Sequence, residues 1–228
     1  MERHFDTSLR ELKEQLVTMA GLVERSIENA TLALQNRDLG KIKDVYEIEK
    51  KVNQSHIQID GTCLKLLALQ QPLAADLRLI IAIIKINTDL ERMGDQAVNI
   101  AHNAERYLKE TPIKPLVDLP IMFAQTRFMV GEAIDAFVKT DLTLAEDVLT
   151  RDDQVDALKH KIFKDVLEVI KLEPKGIEAG LALILIARNL ERIGDHATNI
   201  AEDVIFAITG EDIRHSVRVE IMKDVLKE

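Results

Sequence analysis

The chain of 228 residues is 46% apolar and 30% charged, enough to bury a core of ordinary size, so a disordered chain is excluded. A formal charge of −9, with no Trp, two Tyr and six Phe, excludes the basic, base-stacking surface of a nucleic-acid binder. Nine Gly and five Pro leave few turn-makers, which demands long elements between turns.

The opening Met1-Glu2-Arg3-His4-Phe5-Asp6 is too charged for the apolar stretch of a signal peptide, and a lone Cys63 cannot form an internal disulfide, so a cytoplasmic protein is expected. From Phe5, apolar residues at Leu9, Leu12, Leu16, Met19, Val23, Ile27, Ala30 and Leu34 recur every three or four positions and predict an amphipathic helix ending near Asn36. Asp38-Leu39-Gly40 supplies a turn and an acidic cap for a second helix, running through Ile42, Val45, Ile48, Val52 and Ile59 to about Leu69. Gln70-Gln71-Pro72 breaks it. A third helix runs from near Leu73 to about Leu108 and closes at Thr111-Pro112. The apolar runs Leu79 to Ile84 and Leu181 to Ala187 fall far short of the roughly 20 residues that span a bilayer and read as buried helix.

Beyond this Pro-rich midpoint the plan repeats. The segment Ala33 to Leu39 is echoed by Ala136 to Leu142, and Gln70-Gln71-Pro72 by Leu172-Glu173-Pro174. Leu90-Glu91-Arg92-Met93-Gly94-Asp95-Gln96-Ala97-Val98-Asn99-Ile100-Ala101 matches Leu190 to Ala201 at nine of twelve positions, 100 residues apart. The expected architecture is all-α, with six long helices in two tandem antiparallel three-helix bundles related by a pseudo-twofold: residues 1–112, residues 113–211, and a short C-terminal helix in 212–228 suggested by Ile213, Val217, Ile221 and Val225.

At 100° per residue, Glu91, Asp95 and Asn99 lie within about 80° of one another, while Leu90, Gly94, Ala97 and Ala101 take the far side. Glu191, Asp195 and Asn199 repeat the row. Acids four apart repel when both are ionised. As an ordinary solvated face, each row would be balanced by Arg92 toward Asp95 and Arg192 toward Asp195. A second set of positions, Asp152 and Asp156 with His160 continuing the face, and Glu49 with Asn53 in the first half, would meet these rows if second and third helices pack side by side. Four oxygens so placed suit Mg²⁺, Mn²⁺, Fe or Zn²⁺. Gly94 and Gly194 read as points of close helix approach. No phosphate loop, nucleophile elbow or Cys-based zinc spacing occurs, so no enzyme is expected, and a ferritin-like di-metal oxidase lacks its Glu-Xaa-Xaa-His pairs. A metal-binding helical scaffold is the other alternative.

The twin Leu-Glu-Arg-Xaa-Gly-Asp segments, with Gln71-Pro72-Leu73-Ala74-Ala75-Asp76-Leu77-Arg78 before the first, resemble the PhoU family over nearly the whole chain. That resemblance implies metal binding through acid-Xaa-Xaa-Xaa-Asp pairs, here Glu91 with Asp95, Glu191 with Asp195 and Asp152 with Asp156, the pair Glu49 and Asn53 departing from the pattern. It implies a negative regulator of the phosphate-starvation response that contacts the ATPase of the phosphate-specific ABC transporter and the phosphate sensor histidine kinase, often as a homodimer, and reaches the membrane only through those partners. The negative charge argues against direct capture of free phosphate by the bulk surface.

Overall fold

The computed structural model describes residues 4–113 and 118–213. Six α-helices follow one another: α1 (His4–Asn36), α2 (Leu39–Gln70), α3 (Ala74–Leu108), α4 (Asp118–Lys139), α5 (Leu142–Leu172) and α6 (Ile177–Thr209), with a single 3₁₀ turn at Pro174–Gly176 before α6. The boundaries fall where the sequence punctuates. Asp38 caps α2 by accepting from the Gly40 amide at 2.8 Å, and Asp141 caps α5 by accepting from the amides of Thr143 and Leu144. The short C-terminal helix expected from Asp212 to Lys227 falls, beyond Ile213, outside the described residues.

The duplication reaches the backbone of the turns. Arg37 and Thr140 both take a left-handed conformation, with φ of 55° and 54°, and in each turn the following Asp amide returns to an Ala carbonyl five residues back, Asp38 to Ala33 and Asp141 to Ala136, both at 3.0 Å. Those bonds satisfy carbonyls that the end of a helix would otherwise strand. The echo between Ala33–Leu39 and Ala136–Leu142 is therefore one turn built twice.

Helix α1 packs on α2 and α3, α4 packs on α5 and α6, and α3 lies against α6 in the largest helix–helix interface of the molecule. The order α2, α3, α6, α5 forms one layer, and α1 and α4, touching each other, form a second behind it. Each half is a three-helix bundle, yet the core is continuous: Leu16, Met19, Ile83, Ile86, Leu90, Met93, Leu183, Ile186, Leu190 and Ile193 belong to one buried cluster. Only Gly94 sits at the close approach expected of both glycines. A methyl group at Gly94 would lie 3.2 Å from Val52 Cγ1 on α2, whereas one at Gly194 would meet Val155 Cγ1 on α5 at 3.6 Å. Among the described residues, no helix is long and apolar enough to cross a membrane.

Candidate functional site

The carboxylate rows point outward as the helical step requires. Leu90, Gly94, Ala97 and Ala101 are buried with their second-half equivalents, whereas Asp95, Asn99 and Asp195 are exposed and Glu91, Glu191 and Asn199 are half-buried. Neither Arg92 with Asp95 nor Arg192 with Asp195 forms an ion pair among the described residues. Arg92 and Arg192, three positions before those aspartates, are exposed to solvent instead.

In the second half the two rows do meet. Lys159, three residues beyond Asp156 on the same face of α5, places its Nζ 2.9 Å from Asp156 Oδ1 and 2.8 Å from Glu191 Oε1 on α6. Desolvation alone would lower the Lys159 pKa, but the hydrogen bonds to Glu191 and Asp156 outweigh it and the value is raised. Asp152 stands one turn earlier, its Oδ1 3.7 Å from where a side chain on Gly194 would begin. Burial, then Asp195, Asp156, Asp153 and Glu191, push the Asp152 carboxyl from 3.8 up to about 6. Asp195 is also raised, first by partial desolvation of its carboxyl and then by Glu191 and Asp156, with His196 and Lys159 opposing. Two of the four carboxylates, Asp156 and Glu191, thus share one ammonium.

The first half is arranged differently. Asn53 Nδ2 donates to Glu49 Oε1 at 2.5 Å within α2, so this pair is satisfied locally and makes no hydrogen bond to Glu91 or Asp95 on α3. His160 does not join the second-half carboxylates. It is exposed, and its Nδ1 donates to the Asp156 carbonyl at 2.8 Å. Asn99 accepts through its backbone carbonyl from Asn103, and Asn199 turns toward the other half, donating to Asp89 Oδ1 at 3.3 Å.

In donor type and in charge the second-half oxygens fit a hard cation, since their mutual repulsion is visible in the raised carboxyls and one ammonium already sits between two of them. Among the described residues, no three His, Cys, Asp or Glu side chains close on a single point, so the arrangement presents pairs rather than a finished cage.

Three features lay beyond the sequence reading. Lys159 is the first, although its i+3 spacing from Asp156 was a usable signal. The second is a network in which Asn87 Nδ2 donates to the His56 carbonyl at 3.0 Å and to Asp60 Oδ1 at 2.9 Å, tying α3 to α2. The third is at the seam between the halves, where His196 Nδ1 lies 2.8 Å from Asp89 Oδ1, both residues buried.

Fold and site together define an all-helical protein made from a duplicated three-helix unit, with outward carboxylate rows in both copies. The chain belongs to the PhoU family: the PhoU domain model matches it twice, over residues 16–104 and 119–204. It is similar to the phosphate-specific transport system accessory protein PhoU homolog of Pseudomonas putida, 38% identical over 94% of this chain and 84% of that protein. The phosphate-specific transport system accessory protein PhoU of Escherichia coli K12 is 33% identical over 92% of this chain and 88% of that one. Among solved structures, PhoU from Pseudomonas aeruginosa superimposes with a TM-score of 0.88 at 38% identity, covering 91% of this chain and all of that chain. The phosphate transport system regulatory protein PhoU from Streptococcus pneumoniae gives 0.84 at 29% identity, covering 92% of this chain and 99% of that chain.

Proposed function

We propose that this protein, a phosphate-transport accessory and regulatory protein like its relatives, is an adaptor. It joins the ATPase of the phosphate-specific ABC transporter to the phosphate sensor histidine kinase and represses the starvation response by holding the kinase in its non-signalling form. The observation that supports this reading is that α3 and α6 fasten two unlike hairpins into one body with a continuous core: α2–α3, whose Asn53 pairs with Glu49, and α5–α6, where Lys159 bridges Asp156 and Glu191. A rigid body with two different faces can engage two different proteins, and a preference of about 1–3 kcal/mol for one transporter state over another suffices to pass its state on. No turnover is involved. The protein acts in the cytoplasm, as a homodimer, and meets the membrane through its partners alone. Pull-down from phosphate-replete cells should recover both the transporter ATPase and the kinase; recovery of neither refutes the adaptor role.

The carboxylates Asp152, Asp156, Glu191 and Asp195 would hold Fe, Zn²⁺, Mn²⁺ or Mg²⁺, with Lys159 swinging clear, and the ion would supply charge that cross-links α5 to α6. Glu49, Asn53, Glu91 and Asp95 form the weaker counterpart, since a neutral Asn53 replaces one acid. Metal analysis of protein purified without chelator should show less bound metal in Glu191→Ala/Asp195→Ala. Equal content in the variant and the unaltered protein would assign the rows to solubility alone.

A further inference from the structure

The hairpins α2–α3 and α5–α6 share a backbone plan and an outward glutamate, Glu91 or Glu191, but the groove one turn before that glutamate differs between them. In the first hairpin Asn87 is fully buried and fills the space between the helices, its Nδ2 donating to Asp60 and to the His56 carbonyl. The matched turns put Lys159 and Phe163 where His56 and Asp60 stand, and the 100-residue repeat puts Ala187 at the place of Asn87. Small Ala187 cannot bridge the helices, and a groove of about 400 Å³ opens, floored by Phe163, Ile184 and Ala187. Phe163 stays 47% exposed beside it. The exposed ring is continuous with the apolar floor of Ile184 and Ala187, and a contiguous apolar patch of this kind suits a surface that another molecule covers.

Charge selects the occupant. Lys159, His160 and Arg188 border the groove, and Lys159 is already engaged by Asp156 and Glu191. Arg188 is exposed and makes no hydrogen bond or ion pair among the described residues, so it offers an uncommitted positive charge at this mouth, where Lys159 already answers Asp156 and the groove-lining Glu191. Seven residues further along α6, about 10 Å at the helical rise, the surface turns acidic at Asp195 and, across on α5, at Asp152. The apolar floor therefore has a positive end and a negative end.

We propose that the α5–α6 groove docks an amphipathic helix of a partner protein. Its bulky apolar side chain seats against Phe163, Ile184 and Ala187, an acidic residue meets Arg188, and a basic residue about 10 Å away faces Asp152 and Asp195. This rests on the adaptor reading for the existence of a protein partner and assigns one face to it.

The test measures binding of the full chain to the purified transporter ATPase and, separately, to the cytoplasmic part of the sensor kinase. Phe163→Ala and Arg188→Glu should each weaken binding to the same one of these proteins by about tenfold or more and leave the other unchanged. Lys43→Glu, an equal charge change on exposed α2 surface, should alter neither. Variants that keep their helical signal and bind both proteins as tightly as the unaltered chain overturn the groove assignment while the adaptor reading stands. Equal weakening by Lys43→Glu overturns it too, because net charge would then explain the effect. If the unaltered chain binds neither protein, the adaptor reading and the groove assignment fall together. A change in the sedimentation of Phe163→Ala alone would give the groove to a second copy of this chain and overturn the partner helix.

Discussion

Replacing Asp152 by Asn should stabilise the protein near neutral pH and cease to do so in acid. The Asp152 carboxyl is held at about 6 against an ordinary 3.8, first by burial and then by Asp195, Asp156, Asp153 and Glu191. The folded chain therefore keeps this proton up to about pH 6, whereas the unfolded chain releases it near the ordinary value, so between the two the folded state binds more protons and stability falls as pH rises. Above the folded value the penalty is complete. The difference between the folded and the ordinary value corresponds to about 3 kcal/mol, which screening by solvent reduces to about 1–2 kcal/mol. Asparagine preserves the shape and removes the charge, and for a chain of this size the gain amounts to a rise in Tm of about 2–8 °C. Thermal unfolding followed by circular dichroism, with chelator present, at about pH 7.5 and about pH 4 decides the matter. An unchanged or lower Tm at the higher pH, or a gain of equal size at both, would refute the reasoning.

The paired glycines offer a sharper contrast. Gly194→Ala should gain about 0.5–1 kcal/mol from helix propensity, since its new methyl makes an ordinary contact, while Gly94→Ala should gain nothing because Val52 must give way; urea denaturation measures both. Asp89→Ala leaves His196 and Asn199 without their acceptor and should cost about 1–3 kcal/mol, and in a double-mutant cycle with His196→Leu the two losses should not add; strict additivity would deny the pair. Cys63 is fully buried and its thiol is pushed up to about 12, first by burial and then by Asp60, so iodoacetamide should leave the native protein unmodified and react once denaturant is added; rapid native labelling would contradict this.

The helices were legible because this chain punctuates them with residues of single purpose. Asp38 and Asp141 end one helix and begin another, Pro72 and Pro174 forbid continuation, and the apolar stripe at three and four fixes which side of α3 and α6 turns inward. The outward direction of Glu191 and Asp195 follows from the same 100° step, and so does their meeting with the α5 row once neighbours are antiparallel. What periodicity carries no information about is reach and partner choice. Lys159 closes the gap between Asp156 and Glu191 with a long flexible side chain, whereas Arg92 and Arg192, at spacings that permit pairing, form no ion pair among the described residues. The Asp89–His196 contact joins positions 107 apart, and nothing within either helix announces that α3 and α6 lie together. A polar residue one step from an apolar stripe, as Asp89 is from Leu90, was the available clue.

That same contact breaks the symmetry of the molecule. A protein built from two nearly equal halves faces a recurring ambiguity, since the first half of one chain could clasp the first half of another as readily as its own second half. Here Asp89 finds His196 only across an α3–α6 pairing; two α3 helices would set Asp89 against Gln96, and two α6 helices would set Asn189 against His196. The buried pair adds little net stability. It labels the halves as unlike, so that each closes on its sibling and exchange between molecules is disfavoured.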